Sequence, residues 1–155
     1  MRNVNKYNWE EIEQYCDQIV GKMKADSYSP DAIVCLLRGG MVPARIFADK
    51  FNITSKLFTI DVKYYTGIGE TTAEPVVRCP FDIVGNNLLV VDDICDSGRT
   101  LDCVRLFLRD NFVRTATVFC KEGIIRKPDY WQVSVPDETW VVFPWEKSEF
   151  ERGYK

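Results

Sequence analysis

Between residues 9 and 24, the apolar side chains Ile12, Tyr15, Cys16, Ile19, Val20 and Met23 recur at intervals that gather them on one face of an α-helix. Asn8 and Glu11 stand where an N-cap and its capping-box acid belong. A continuous apolar run, Ala32 to Leu37, reads as a buried strand. Arg38-Gly39-Gly40 ends it, and Pro43 suits the first turn of a helix reaching about Phe51. Residues 56–62 alternate and read as a second strand, and Leu88 to Val91 form a third, buried one. Leu101, Val104, Phe107 and Leu108 mark the apolar face of another helix. Residues 115–120 form a fourth strand, and 130–135 and 139–143 are two further candidates.

Strands and helices alternate, and the strands are apolar. That pattern predicts an α/β fold, a mainly parallel sheet flanked by helices on both faces. Ligands of such folds bind beyond the C-terminal strand ends. Both unusual segments, Arg38-Gly39-Gly40 and Asp92 to Thr100, lie at such ends. Residues 63–80, with Gly67, Gly69, Thr71, Thr72, Pro75 and Pro80, look irregular and exceed an ordinary connection. They are expected to be a lid, a hairpin excursion or a binding loop. There is no repeat, low-complexity segment or internal linker, so residues 1–155 read as a single domain.

Composition narrows the chemistry more than the fold. A net charge of −3 argues against bulk binding to nucleic acid. No stretch is long and apolar enough to span a membrane, and the polar, acidic first 20 residues do not read as a secretory signal. A cytoplasmic protein is expected. The chain has no histidine, which removes His-based triads, imidazole bases and His-ligated zinc. Proton transfer must use carboxylates, Lys, Tyr or water. The cysteines at 16, 35, 79, 95, 103 and 120 show no Cys-x-x-Cys spacing and read as buried free thiols. Asn52-Ile53-Thr54 matches a glycosylation sequon by chance in a cytosolic chain.

The densest chemistry lies in residues 88–100, LLVVDDICDSGRT. Asp96 to Thr100 sit between a strand and a helix, where unpaired N–H groups and a partial positive charge meet a close-approach glycine and two hydroxyls. This is a workable phosphomonoester cradle. A solvated loop with an aspartate cap would account for the same residues. Walker and dinucleotide glycine patterns are absent, and the aspartate spacing fits neither a phosphatase nucleophile pair nor a calcium loop. Asp92 and Asp93 could accept hydrogen bonds from a vicinal diol, directly or through a Mg²⁺ shell.

Val90 to Thr100 resembles the motif with which type I phosphoribosyltransferases bind 5-phosphoribosyl 1-pyrophosphate (PRPP): two acids, two spacers, then Asp-[Ser/Thr]-Gly-x-Thr after an apolar strand. Ile33 to Ala44 is similar to the strand, pyrophosphate loop and helix of the xanthine-guanine and hypoxanthine branch. Val133 to Glu146 is similar to the purine-pocket hood of that branch. The motifs stand in the family's order, and the resemblance covers roughly residues 8–146.

The resemblance implies the type I phosphoribosyltransferase fold, with a flexible lid at about 63–80 and a small C-terminal hood at about 121–150. It implies transfer of ribose 5-phosphate from PRPP to guanine, xanthine or hypoxanthine, giving a nucleoside monophosphate and pyrophosphate, with Mg²⁺ as cofactor. Asp96, Ser97, Gly98, Arg99 and Thr100 would hold the 5-phosphate, and Asp92 and Asp93 the ribose diol and, through water, the metal. Arg38 and Gly39 would bind pyrophosphate, where relatives often have a cis peptide before the glycine. Lys121 would donate to the purine 6-oxo group, Trp140 would stack on the base, and the main chain of Trp140 and Val141 would read the 2-position. Asp96 would manage the proton near N7. Lys63, Tyr64, Tyr65 and Arg78 are the lid's candidates for reaching pyrophosphate. Tyr64-Tyr65 replaces the familiar Ser-Tyr pair, so none is singled out. A homodimer, or a tetramer built on it, is the expected assembly, with no nucleic-acid or membrane partner. Two other readings use the same residues: a non-catalytic nucleotide-binding regulator, and a phosphoribosyltransferase for another base. Asp92, Asp93, Asp96 and Arg38 speak against the first, and Lys121 with Trp140 against the second.

Overall fold

The computed structural model describes residues 3–65, 74–80 and 82–153. A short strand, β1 (Val4–Lys6), precedes α1 (Trp9–Ala25). The capping box forms: Glu11 N donates to Asn8 Oδ1 at 2.9 Å, and Asn8 N to Glu11 Oε2 at 2.8 Å. Ile12, Cys16, Ile19, Val20 and Met23 are buried on one face of α1, with Tyr15 half-buried beside them. Then come β2 (Ala32–Leu37), α2 (Met41–Lys50), β3 (Leu57–Tyr65), β4 (Glu74–Arg78), β5 (Asn87–Cys95), α3 (Arg99–Phe107) and β6 (Phe112–Lys121). The chain continues through β7 (Val133–Val135), β8 (Trp140–Val142), a 3₁₀ turn (Pro144–Glu146) and α4 (Lys147–Glu151).

The main sheet has the order β4-β3-β2-β5-β6-β7, parallel except for β4, which runs antiparallel to β3. Its two faces carry separate cores. Ile33, Cys35, Leu89 and Val91 pack with α1 and α2, while Ala32, Val34, Leu36, Leu88 and Val90 pack with Leu101 and Val104 of α3. The continuous apolar runs of β2 and β5 are thus explained by burial on both sides.

Several boundaries differ from the sequence-based expectation. The irregular segment 63–80 begins and ends as a hairpin, since β3 runs to Tyr65 and pairs with β4 from Asp61↔Arg78 to Tyr65↔Glu74. Residues 66–73, which include Gly67, Gly69, Thr71 and Thr72, lie outside the described residues. The third strand continues four residues past Val91, because β6 keeps pairing with it as far as Cys95↔Cys120. The candidate at 130–135 narrows to β7 plus an isolated bridge at Tyr130. Phe107 ends α3 exposed and does not extend its buried face. All six cysteines are free; Cys79 and Cys103 are only half-buried, whereas burial pushes the Cys16 and Cys95 thiols up to about 12. Asn52 of the sequon takes the left-handed conformation (φ 55°) just past α2, where asparagine is a favoured helix stop.

β1 has no counterpart in the expectation. It pairs in parallel with β8 in a separate two-stranded sheet, Val4↔Trp140 to Lys6↔Val142. Trp140 N donates to Asn3 O at 2.7 Å, and Tyr7 N to Val142 O at 3.1 Å. The segment expected to read the base is therefore secured by residues near the start of the chain.

Candidate active site

β2 and β5 separate at their C-terminal ends, and the site opens where they part. Their pairing stops at Cys35↔Val91. Beyond it, Asp92 Oδ1 accepts from Asp93 N at 3.0 Å and Asp93 Oδ1 from Ile94 N at 2.7 Å, so both acids brace their own backbone. The chain leaving β2 turns through Arg38-Gly39-Gly40 with a cis peptide at Leu37–Arg38, one bond earlier than the resemblance implied. Both glycines are demanded by close approach. A Cβ on Gly39 would lie 2.4 Å from Asp93 Oδ2, and one on Gly40 would lie 2.3 Å from Val91 O and 2.7 Å from Leu36 O.

Three adjoining cavities surround the tip of β5. The first, about 270 Å³, is lined by Asp96 to Leu101, with Asp92, Ile94, Cys95 and Tyr64. Gly98, in the left-handed conformation (φ 79°), is the N-cap of α3, and a Cβ there would lie 2.5 Å from Arg126 O. Gly98, and not Asp96, holds the N-cap position of this helix. Its first-turn amides face the loop, as an anion cradle requires. Ser97 Oγ lies 3.4 Å from Arg99 N.

The second cavity, about 300 Å³, brings together Asp93, Ile94, Asp96, Lys121, Thr139, Trp140, Val141, Phe143 and Glu146. Lys121 is 5 % exposed. Its ammonium donates to the backbone carbonyls of Pro136 (3.3 Å), Asp137 (3.1 Å) and Thr139, which accounts for all three of its donors. Gly123 N donates to Asp137 Oδ1 at 2.9 Å, tying the end of β6 to the same hood.

The third cavity, about 600 Å³, lies between Arg38, Gly39 and Met41 on one side and Trp145 to Arg152 on the other, with Asp92 and Asp93 at its base. The Arg38 guanidinium reaches Glu149 Oε1 at 3.1 Å with both terminal nitrogens. Of the four lid candidates, Tyr64 faces the first cavity; Lys63 pairs with Asp61 at 3.4 Å, and Arg78 donates to the Tyr65 hydroxyl.

The acid pair sets the electrostatics. Burial, then the Glu146 carboxylate, pushes Asp93 up to about 6; burial, then the charge on Asp93, holds Asp92 well above the usual carboxylate range. Among the described residues, no Lys or Arg ion pair involves either acid. Glu146 and Thr139 were not foreseen as site residues. Glu146 lines the second and third cavities, and Thr139 is buried in the second. The signal for Glu146 was Pro144 at the start of a short turn directly after the hood strand.

A parallel α/β sheet with a strand–loop–helix turn and a buried acid pair at the C-terminal strand ends has the architecture in which such folds place their ligand sites. The phosphoribosyl transferase domain matches residues 5–149. The xanthine-guanine phosphoribosyltransferase of Ruegeria sp. (strain TM1040) is 35 % identical over 152 residues, covering 90 % of this chain and 83 % of that protein. The enzyme of the same name from Cereibacter sphaeroides is 34 % identical over 148 residues, covering 90 % and 84 %. The crystal structure of a purine phosphoribosyltransferase from Pyrococcus horikoshii Ot3 superposes with a TM-score of 0.78 at 26 % identity, covering 92 % of this chain and 93 % of that one. The Helicobacter pylori xanthine-guanine-hypoxanthine phosphoribosyltransferase has the same fold, with a TM-score of 0.79 at 22 % identity over 99 % of this chain and 100 % of that one. The chain belongs to the type I phosphoribosyltransferase family.

Proposed function

We propose that this phosphoribosyltransferase transfers ribose 5-phosphate from PRPP to a 6-oxopurine, guanine, xanthine or hypoxanthine, and releases pyrophosphate. The observation that carries the reading is the meeting of three cavities along one strand tip, each suited to one part of the reaction. The cradle of Asp96, Ser97, Gly98, Arg99 and Thr100 takes the 5-phosphate. Asp92 and Asp93 face the ribose diol. Arg38 and Gly39 border the pyrophosphate cavity, where Arg38 must exchange its Glu149 partner for the leaving group. The second cavity takes the base, with Trp140 stacking on it and the main chain of Val141 near its 2-position. A 6-oxo group would take one Lys121 donor from a hood carbonyl, so base binding competes with hood anchoring. An amino group has no use for a pure donor, which favours oxopurines.

The acid pair fits a divalent cation. The two carboxylates are crowded, desolvated and raised in pKa, and a nearby cation would favour their charged forms. Among the described residues, no group of three or more His, Cys, Asp or Glu could hold a metal, so substrate oxygens and water would complete the shell, as suits Mg²⁺. Such an ion would offset charge on the departing pyrophosphate. Asp96 lines both the cradle and the base cavity, which supports its role in holding the proton near N7. Cradle and hood fix C1 of the ribose against the attacking nitrogen. A homodimer in the cytoplasm remains the expected setting.

The test is direct. The protein is incubated with PRPP, Mg²⁺ and, separately, hypoxanthine, guanine, xanthine, adenine or orotate, and pyrophosphate is measured. Release with oxopurines is expected. Release only with adenine or orotate refutes the specificity, and no release with any base refutes the activity.

A further inference from the structure

Tyr64 stands apart from the pyrophosphate role considered for it. It lies near the end of β3, lines the 270 Å³ cradle cavity, and brings its hydroxyl to 2.5 Å from Thr100 Oγ1. The Arg99 guanidinium carbon is 5.9 Å from its ring centroid. A second contact binds the same hairpin to the cradle helix, since Cys103 Sγ of α3 donates to Pro75 O of β4 at 3.7 Å. The two hydroxyls carry two hydrogens and spend one on each other, leaving one for an acceptor in the cavity.

We propose that Tyr64 is a recognition residue for the 5-phosphate of PRPP: its phenol fixes the Thr100 hydroxyl, and the pair donates its remaining hydrogen to a phosphate oxygen. The assignment rests on the reading of the cradle given above and extends it to a residue outside the Asp-Ser-Gly-Arg-Thr loop. It also accounts for tyrosine at the position of the familiar serine. Rooted on β3, the tyrosine side chain reaches from the hairpin to Thr100.

The experiment is titration calorimetry with ribose 5-phosphate, paired with steady-state kinetics, on the wild type, Tyr64→Phe, Thr100→Val and the double variant. Phenylalanine keeps the ring and removes only the hydroxyl. Tyr64→Phe should weaken ribose 5-phosphate binding and raise the KM for PRPP by about tenfold, the worth of one hydrogen bond to a charged group. The KM for the purine should stay within about twofold, a split that general damage to the fold would not give. In the Thr100→Val background, the same change should have less than half its single effect, because the two hydroxyls act as a unit. Unchanged ribose 5-phosphate affinity in Tyr64→Phe, alongside an active wild type, overturns the Tyr64 assignment alone. Fully additive effects overturn the coupling to Thr100. A wild type that neither binds ribose 5-phosphate nor releases pyrophosphate overturns the proposed function, and this assignment with it.

Discussion

Replacing Asp93 by Asn should make the protein more stable at neutral pH while disabling it. Asp93 is 8 % exposed, packed against Gly39 and facing Glu146, and its carboxyl is pushed up to about 6 from an ordinary 3.8. A folded-state pKa above the unfolded one means that the folded protein holds this proton more tightly than the unfolded chain does. Asp93 therefore costs nothing below about pH 3.8, costs progressively more as pH rises through about 6, and exacts the whole penalty above that. The rise from 3.8 to about 6 corresponds to about 3 kcal/mol. Asn carries no charge and keeps the oxygen that accepts from Ile94 N at 2.7 Å. It also relieves Asp92, which the Asp93 charge holds up. For a domain of this length, about 3 kcal/mol should appear as a rise in Tm of about 6–12 °C. The assay is thermal unfolding followed by circular dichroism, on both proteins, with chelator present, from pH 4 to 8. The curves should nearly coincide at pH 4, draw apart between pH 4 and 6 and stay apart above it, and added Mg²⁺ should narrow the gap by stabilising the wild type alone. An Asn variant no more stable than the wild type at pH 7.5, or a gap that does not change with pH, would refute the reasoning.

Asp96→Asn should lower turnover by about a hundredfold while nucleoside monophosphate affinity, measured by calorimetry, changes only a few-fold; equal losses in both would remove its proton role. Gly40→Ala should cost about 3 kcal/mol or more in urea unfolding, because its Cβ would overlap Val91 O and Leu36 O, backbone atoms that cannot turn aside. Gly21→Ala, in the exposed middle of α1 with nothing within 4 Å of the new carbon, should instead gain about 0.5–1 kcal/mol in the same assay.

What could be read in advance was what local pattern encodes. The α1 face, its capping box, the doubly buried β2 and the glycine-led start of α3 were legible because each depends on neighbours in sequence. β1 was not, since Val-Asn-Lys becomes a strand only by borrowing the edge of β8, over 130 residues away. β5 was expected to stop at Val91 because two acids seemed to end it. They remain in the strand because β6 still pairs there and their carboxylates accept from their own backbone. Tyr64 and Tyr65 are residue types common in strands, and a hairpin was among the forms expected for 63–80, but the surrounding glycines and prolines left lid and loop equally open. At the site, Asp92 to Thr100 are contiguous and so were found together. Glu146 had only Pro144 to mark its turn, and for Thr139 and Glu149 no local pattern says which hood side chains approach the strand tip.

The tip of β5 is a party wall. Asp92 borders the first and third cavities, Asp93 the second and third, and both Ile94 and Asp96 the first and second. No substitution at these four residues can retune one compartment without disturbing another. Lys121, Thr139, Trp140 and Val141, by contrast, line the second cavity and neither of the others. Change in base preference, whether by natural drift or by design, therefore has its free ground in the hood, while the strand tip is held fixed by serving every compartment at once.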